Sequence, residues 1–443
     1  MGARLRRRSR AESEGEAGMT ERIISLLKEN PLVCDYRINA VKTESYELFF
    51  VHKSLETVRS TDTTDYKVTV FVDKDGKLGD ATFSIYASYT DDDIRREIAS
   101  ACKKAGLAVN EPYALPENET LSKESDSNFK NYNTAELASL IADAVFAADC
   151  EDGGSINALE VFLYRDTVTV KNSRGIDKTE IRYHAMVEAI PTWSSSEESV
   201  ELYECHSFTE FDANAITAEI ATRMHEVRDR MTAKVPSTKL NCPVVLGAPE
   251  LDSLFATLAY ELDYSAIYNH TAAFKEGDDI QKDAKGDRFT LTVCGAVKGS
   301  VRSASFDSDG TALVDAEIIR GGYAVGSFGS ARYASYLNRK PTGNLGCRRV
   351  EIGSTSDEEL KRAPYFRCAS MSGLQLDIYN DYIGGEVRLA YYFDGEKEIP
   401  ITGVSISGKL SSALSNMRLS DTATVHRGYF GPSWASFEGI EIV

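Results

Sequence analysis

The sequence lacks any run of the roughly 18 to 20 consecutive apolar residues that a membrane-spanning helix requires, and no signal-peptide core stands near its start. A cytosolic location without a membrane partner is the expectation. Positive charge is in deficit: 50 Lys and Arg face 68 Asp and Glu, a net charge of −18 that argues against a surface built to wrap nucleic acid. The one dense basic run, Arg4 to Arg10, is followed by Glu12, Glu14 and Glu16 in a stretch of low complexity. Residues 1–18 are therefore expected to be a disordered tail, with Met19 as the working start. Cysteine is present but unpatterned. Eight residues without one CxxC pair fit reduced, packed thiols better than a disulfide framework or a zinc knuckle. The glycosylation sequons at Asn118 and Asn269 then count as chance matches. Histidine is scarce: there are six, and none is paired at ligand spacing.

What is present is enough for two or three domains, since 443 residues exceed one small core. From Met19 a short helix over 20–29 is followed by strand-like runs at Glu47–His52, Glu56–Ser60, Tyr66–Asp73 and, after the Asp75-Gly76 hairpin signal, Ala81–Tyr86. Thr90 is placed to cap a helix striped by Ile94, Ile98 and Cys102, with Asp91, Asp92 and Asp93 in its first turn, where the helix dipole favours anions. The order recurs some 110 to 120 residues on. Asn133 can cap a helix carrying Leu137, Leu140, Ile141 and Ala144. Ala158–Leu163 then echoes Tyr46–Val51, Thr167–Lys171 echoes Leu55–Arg59, and Ile181–Ala189 echoes Tyr66–Asp73. Asp212 caps a last helix with Ile216, Ile220, Met224 and Val227. The spacing predicts two α-β-β-β-α units, over 19–111 and 131–232.

Three of the eleven prolines fall between Val235 and Pro249, which marks a boundary; a third domain over 236–443 follows. Leu251, Leu254, Phe255, Leu258 and Leu262 stripe one helix there. Strands are predicted at Arg288–Val297, Thr311–Arg320, Leu374–Tyr379, Glu386–Phe393 and Ile399–Ile406, with hairpins at Asp309-Gly310 and Asp394-Gly395. The fold class expected is α+β: duplicated α/β units, then a mostly antiparallel, curled β-sheet with few helices.

The chain carries no complete catalytic motif. His225-Glu226 opens like a zincin motif but continues to Asp229 and Arg230, and His225 lies about 180° from the apolar stripe at 100° per residue, so it faces solvent. Cys205 and His206 are neighbours in a strand and point to opposite faces. Gly403-Val-Ser405-Ile-Ser407-Gly408 lacks the spacing of a nucleophile elbow. Glu151 and Asp152 sit in a turn before Gly153-Gly154, where solvation accounts for them. No P-loop or GxGxxG occurs. No catalytic and no metal-ligating residue is assigned.

A set of segments in the second half resembles the TldD/PmbA (TldE) metalloprotease family. They are Ala248-Pro-Glu-Leu251, Ile267-Tyr-Asn-His-Thr-Ala-Ala-Phe274, Thr342-Gly-Asn-Leu-Gly346, Ser372–Asp377, Tyr382-Ile-Gly-Gly-Glu-Val387, Pro400–Leu410, Gly428–Ser433 and Phe437-Glu-Gly439. The resemblance implies a zinc site of HExxxH plus a late cysteine in the TldD-type subunit. Here 251–268 contains no histidine and no cysteine follows Cys368, so only Glu261 survives from such a helix. That pattern is similar to the PmbA/TldE-type partner. The resemblance therefore implies a non-catalytic, regulatory or structural subunit with no cofactor of its own. Its partner would be a TldD-like, zinc-bearing paralogue, in a cytosolic heterodimer that processes peptides or unfolded segments. Glycine-marked strands at Gly384, Gly385, Gly403 and Gly408 are the places where a peptide backbone could approach. Two other readings stand beside it: a stand-alone peptide-binding scaffold homodimer, and an active hydrolase with an unrecognised site. The family's label as a modulator of DNA gyrase finds no support in the acidic charge.

Overall fold

The computed structural model describes residues 18–107, 110–150 and 153–443. The tail expected over 1–18 thus lies, except for Gly18, outside the described residues, and so do Glu151 and Asp152. The first helix, α1, runs over 18–29 and buries Ile23, Leu26 and Leu27. Two long strands follow, β1 (Asp35–Val51) and β2 (Ser54–Lys74), then β3 (Lys77–Ile85) and helix α2 (Asp91–Ala105). Thr90 caps α2 as expected: its hydroxyl accepts from Asp93 N at 3.2 Å while the Asp93 carboxylate accepts from Thr90 N at 3.0 Å.

The second unit repeats this order. After the short β4 (Thr120–Glu124) come α3 (Thr134–Phe146), β5 (Gly154–Asn172), β6 (Asp177–Ser194), the short β7 (Ser199–Glu201) and β8 (Glu204–Phe208), and α4 (Ala213–Thr232). Asn133 and Asp212 cap α3 and α4 through their side chains. The two units do not form separate sheets. β1 and β5 pair antiparallel along 15 residues from Arg37↔Asn172 to Val51↔Ala158, giving one eight-stranded sheet in the order β3-β2-β1-β5-β6-β4, with β7 and β8 also on β6. Within each unit a long strand pairs with a second long strand, which pairs with a short one.

The strand boundaries differ from those the sequence suggested. Glu56–Ser60 and Tyr66–Asp73 are parts of the single 21-residue β2, and Thr167–Lys171 continues β5. The stretch joining them, Ser60 to Asp65, is polar and mostly exposed, so no hydrophobic alternation marks it as strand. It holds its conformation through the ladder to β1. One face of the sheet carries the helices, with separate cores under α1/α2 and under α3/α4.

In the third domain, strand β9 (Val244–Gly247) leads into helix α5 (Ala248–Tyr260). Leu251, Leu254, Phe255 and Leu258 are fully buried between a six-stranded and a nine-stranded sheet. Both are mainly antiparallel. Two parallel pairs, Arg348↔Tyr429 and Phe366↔Val244, stitch late strands onto early ones. The run Ile399–Ile406 is divided into Glu398–Ile401 and Val404–Gly408 at Gly403, whose φ of +69° turns the chain. Asp394-Gly395 does close a hairpin, with the Asp394 carboxylate accepting from Glu396 N and Lys397 N at 2.8 and 2.9 Å. Asp309-Gly310 closes only a tight turn around the bridge Phe306↔Ala312. That turn lies against the first sheet, where Phe306 joins Val170 and Ile176 in a small core of its own.

Candidate functional site

Helix α5 starts at Gly247 without a side-chain cap and with Pro249 in its first turn. Two acidic side chains at or near the helix are committed inside the protein. Asp252 is buried and ion-paired with buried Arg348 on the strand Cys347–Val350. Glu261, at the helix C-terminus, is only 4% exposed. Its Oε2 accepts from Ala273 N at 2.5 Å, tying down the turn after the short helix Tyr264–Tyr268. The Tyr379 hydroxyl donates to Thr271 O and holds the same turn from the other side. His270, at the crest, is exposed with φ of +57°. The remaining soft ligand nearby, Cys368, is buried and its thiol is pushed up by desolvation. Asp252 is spent on an arginine and Glu261 on a backbone amide, an arrangement that does not fit a zinc ion. Among the described residues no three His, Cys, Asp or Glu side chains converge on a point that suits a metal.

The four glycines are surrounded by this chain itself. Gly384 and Gly385 lie in the strand Tyr382–Phe393, paired to Ser407 and Ile406 on one side. Gly384 also pairs with Gln375 on the other. A Cβ at Gly384 would stand 2.7 Å from Ile406 O, one at Gly385 2.5 Å from Gly373 O, and one at Gly408 2.8 Å from Gly439 O. Gly403 packs against Val235. Close backbone approach inside the sheet accounts for Gly384, Gly385 and Gly408, and the left-handed turn between strands accounts for Gly403.

His225 is exposed, as its angle on α4 required. The opposite side of α4 holds a cluster that no local motif announced. The Arg223 guanidinium pairs with Glu204 and Glu219 at 2.9 Å each and with Glu226 at 2.5 Å. Burial raises the carboxyls of Glu204 and Glu226 despite this arginine, and pushes Glu250, at the start of α5, up to about 7. Burial pushes the imidazoles of His206 and His426, also close by, below the ordinary histidine range. Cys205 and His206 do sit in a strand, with His206 stacked at 5.4 Å on Phe208 two residues on.

A second unannounced feature is a cleft of about 400 Å³ lined by Tyr46, Tyr132, Tyr164, Tyr183, Phe129 and Leu163. It lies between β1, β5, β6 and the segment entering α3. At its wall Arg165 pairs with Glu44, and the Tyr183 hydroxyl donates to Glu124 at 2.6 Å. An aromatic lining with a few fixed polar groups is the make-up of a site for an apolar or aromatic group.

With fold and site in view, the chain falls into a class: two α/β units sharing one sheet, joined to a β-rich domain whose central helix α5 carries no histidine. Residues 239–443 match the family model of the PmbA/TldA metallopeptidase C-terminal domain. Similar solved structures span nearly the whole chain. TldE from Thermococcus kodakarensis is 16% identical, with a TM-score of 0.79 over 96% of this chain and 99% of its own. A Thermotoga maritima protein, named as a candidate modulator of a DNA gyrase, is 14% identical with a TM-score of 0.75, over 96% and 100%. A Bacteroides thetaiotaomicron protein of the same description is 14% identical with a TM-score of 0.79, over 95% and 97%. At these identities the likeness shows the fold alone. No curated protein sequence matches the chain.

Proposed function

We propose that this chain is the non-catalytic subunit of a TldD/TldE-type zinc peptidase, working in the cytosol beside a zinc-bearing paralogue on peptides and unfolded segments. The observation that carries the reading is the state of α5. The helix that would bear HExxxH carries an apolar stripe and a glutamate at its end, yet Asp252 and Glu261 serve packing and no histidine stands on it. A helix kept for packing alone fits a subunit that preserves the domain's shape for an assembly. The likeness to an archaeal TldE agrees with this. The aromatic cleft between β1, β5 and β6 supplies a place for a peptide's apolar side chain within the same chain.

Purified alone, the chain is expected to hold no stoichiometric zinc and to leave an unstructured peptide intact, by mass spectrometry of metal and of cleavage products. Co-expressed with the zinc-bearing paralogue, it is expected to co-elute at about the mass of a one-to-one complex, through an extensive interface of the third domain. Separate elution at micromolar concentration, with a paralogue that cleaves equally well alone, sinks the subunit reading in favour of the scaffold homodimer. One tightly bound zinc, lost together with peptidase activity of the chain alone, establishes the hydrolase.

A further inference from the structure

The face of the first sheet opposite the helices is open where β1, β5 and β6 run side by side. Val161, Leu163, Ala185 and Val187 point into the core under α3 and α4, so alternation sends their neighbours to the other face. There the register lines up three rows. Phe49, Glu160 and Glu188 form the first, Glu47, Phe162 and Met186 the second, and Ser45, Tyr164 and His184 the third. Rings run through them as a stripe: Phe49 meets Phe162 edge-on at 5.7 Å, Phe162 stacks on Tyr164 at 6.3 Å, and Tyr164 on His184 at 4.6 Å. Phe49, Tyr164, His184 and Met186 are half-buried. Glu47 has its cation: the exposed Arg59 of β2 binds its carboxylate and lies 5.1 Å from the centre of the Phe49 ring. Glu160 and Glu188 stand directly opposite each other on neighbouring strands, half-exposed. Among the described residues neither makes an ion pair. Like charges so placed repel, and the Glu160 carboxyl is pushed up, first by burial and then by Glu188. Glu188 has the exposed Tyr203 hydroxyl beside it.

We propose that this open face docks an extended polypeptide through an arginine side chain seated between Glu160 and Glu188. Arg59 shows the mode on the same face: a guanidinium lies against a phenylalanine ring while a carboxylate holds its edge. Glu160 and Glu188 stand beside the rings of Phe49 and Phe162 with no guanidinium bound to them. The fork of donors on a guanidinium spans two carboxylates, and its charge removes their repulsion. The ring stripe selects a chain over a small cation. Alternate side chains of an extended guest repeat at about 6.6 Å, and the Phe162 and Tyr164 rings are 6.3 Å apart. An apolar side chain two residues from the arginine therefore meets the rings. The inference extends the peptide role proposed above, but its test is binding by this chain alone, whereas co-elution and cleavage with the paralogue test that role.

Binding to the full chain is followed by fluorescence anisotropy with a labelled, unstructured peptide that carries leucine two residues after its arginine. A matched peptide has citrulline in place of arginine, which keeps the shape and removes the charge. The arginine peptide is expected to bind saturably at micromolar protein, and the citrulline peptide at least tenfold more weakly. Glu160→Gln with Glu188→Gln relieves the repulsion, so it is expected to keep the far-UV spectrum and to keep or raise Tm. It is expected to weaken the arginine peptide at least tenfold and to leave the citrulline peptide unchanged. Glu358→Gln with Glu359→Gln removes the same charge from exposed positions of the third domain, and is expected to leave binding in place. The citrulline comparison decides even where the first double variant fails to fold. Equal loss in the Glu358 and Glu359 variant, equal binding of the two peptides, or no saturable binding overturns the proposal. So does L-argininamide that competes as strongly as the unlabelled arginine peptide, because the occupant is then a small cation.

Discussion

A carboxylate at 4% exposure with its oxygen on a backbone amide behaves unlike a surface one. Glu261→Ala removes the bond to Ala273 N and leaves that amide without its partner, so it is expected to lower unfolding stability by about 1–3 kcal/mol, read from the urea midpoint. Glu261→Gln keeps an acceptor and costs less. Asp252 makes a stronger case. Asp252→Asn leaves Arg348 buried with an unpaired charge, and about 3–5 kcal/mol is the usual cost of breaking such a pair from one side. Replacing both partners, Asp252→Leu with Arg348→Met, is expected to be the milder change by the same measurement. The burial of Glu261 was not legible in the sequence, because it depends on a turn twelve residues further along folding back over the helix end. The outward direction of His225 was legible, because helical geometry alone sets it. Glu250 gives a pH signature. Its folded pKa is raised to about 7, chiefly by burial, above the ordinary carboxyl value of about 4.3 for an unfolded chain. A group that binds its proton more tightly when folded contributes stability that is present below pH 4 and is lost as pH rises through 7. The difference in stability between the native chain and Glu250→Gln is therefore expected to change between pH 4.5 and 7.5 and to be flat above. A difference that is constant across that range contradicts the assignment.

The helices were legible because each carried its own signal. The polar caps Thr90, Asn133 and Asp212 all cap through their side chains, and Asp212→Ala is expected to cost about 1 kcal/mol in the thermal or urea transition. The strands were legible where one face was apolar, as at Tyr66–Asp73, and lost where both faces are polar, as at Ser60–Asp65. Short strands such as Cys347–Val350 escaped notice because their partners lie far along the chain. Cysteine teaches the same point: Cys294 and Cys347 are scattered in sequence yet stand opposite each other across two strands. Both are buried, and the Cys294 thiol is pushed up to about 12, first by burial. Both are expected to resist alkylation in the native state, by peptide mass mapping, while the exposed Cys150 reacts.

At the scale of the whole molecule, the duplication is a symmetric device. Two α/β units share one long sheet across the β1–β5 ladder, and the third domain rests on one end of the face opposite the helices through Phe306, Ser305 and Asp309. The element order of both units could be read in the sequence. The aromatic cleft and the Arg223 cluster could not, since each joins residues from segments far apart in the chain. The account's central claim is that α5 has become structural and that this chain acts through a zinc-bearing partner. The most direct test is a titration: the paralogue is held constant, this chain is added, and cleavage of an unstructured fluorescent peptide is followed. The account predicts a rate that rises and saturates at one equivalent, and that vanishes when the paralogue's zinc ligands are substituted. A rate that does not respond to this chain, or that persists with those ligands substituted, contradicts it.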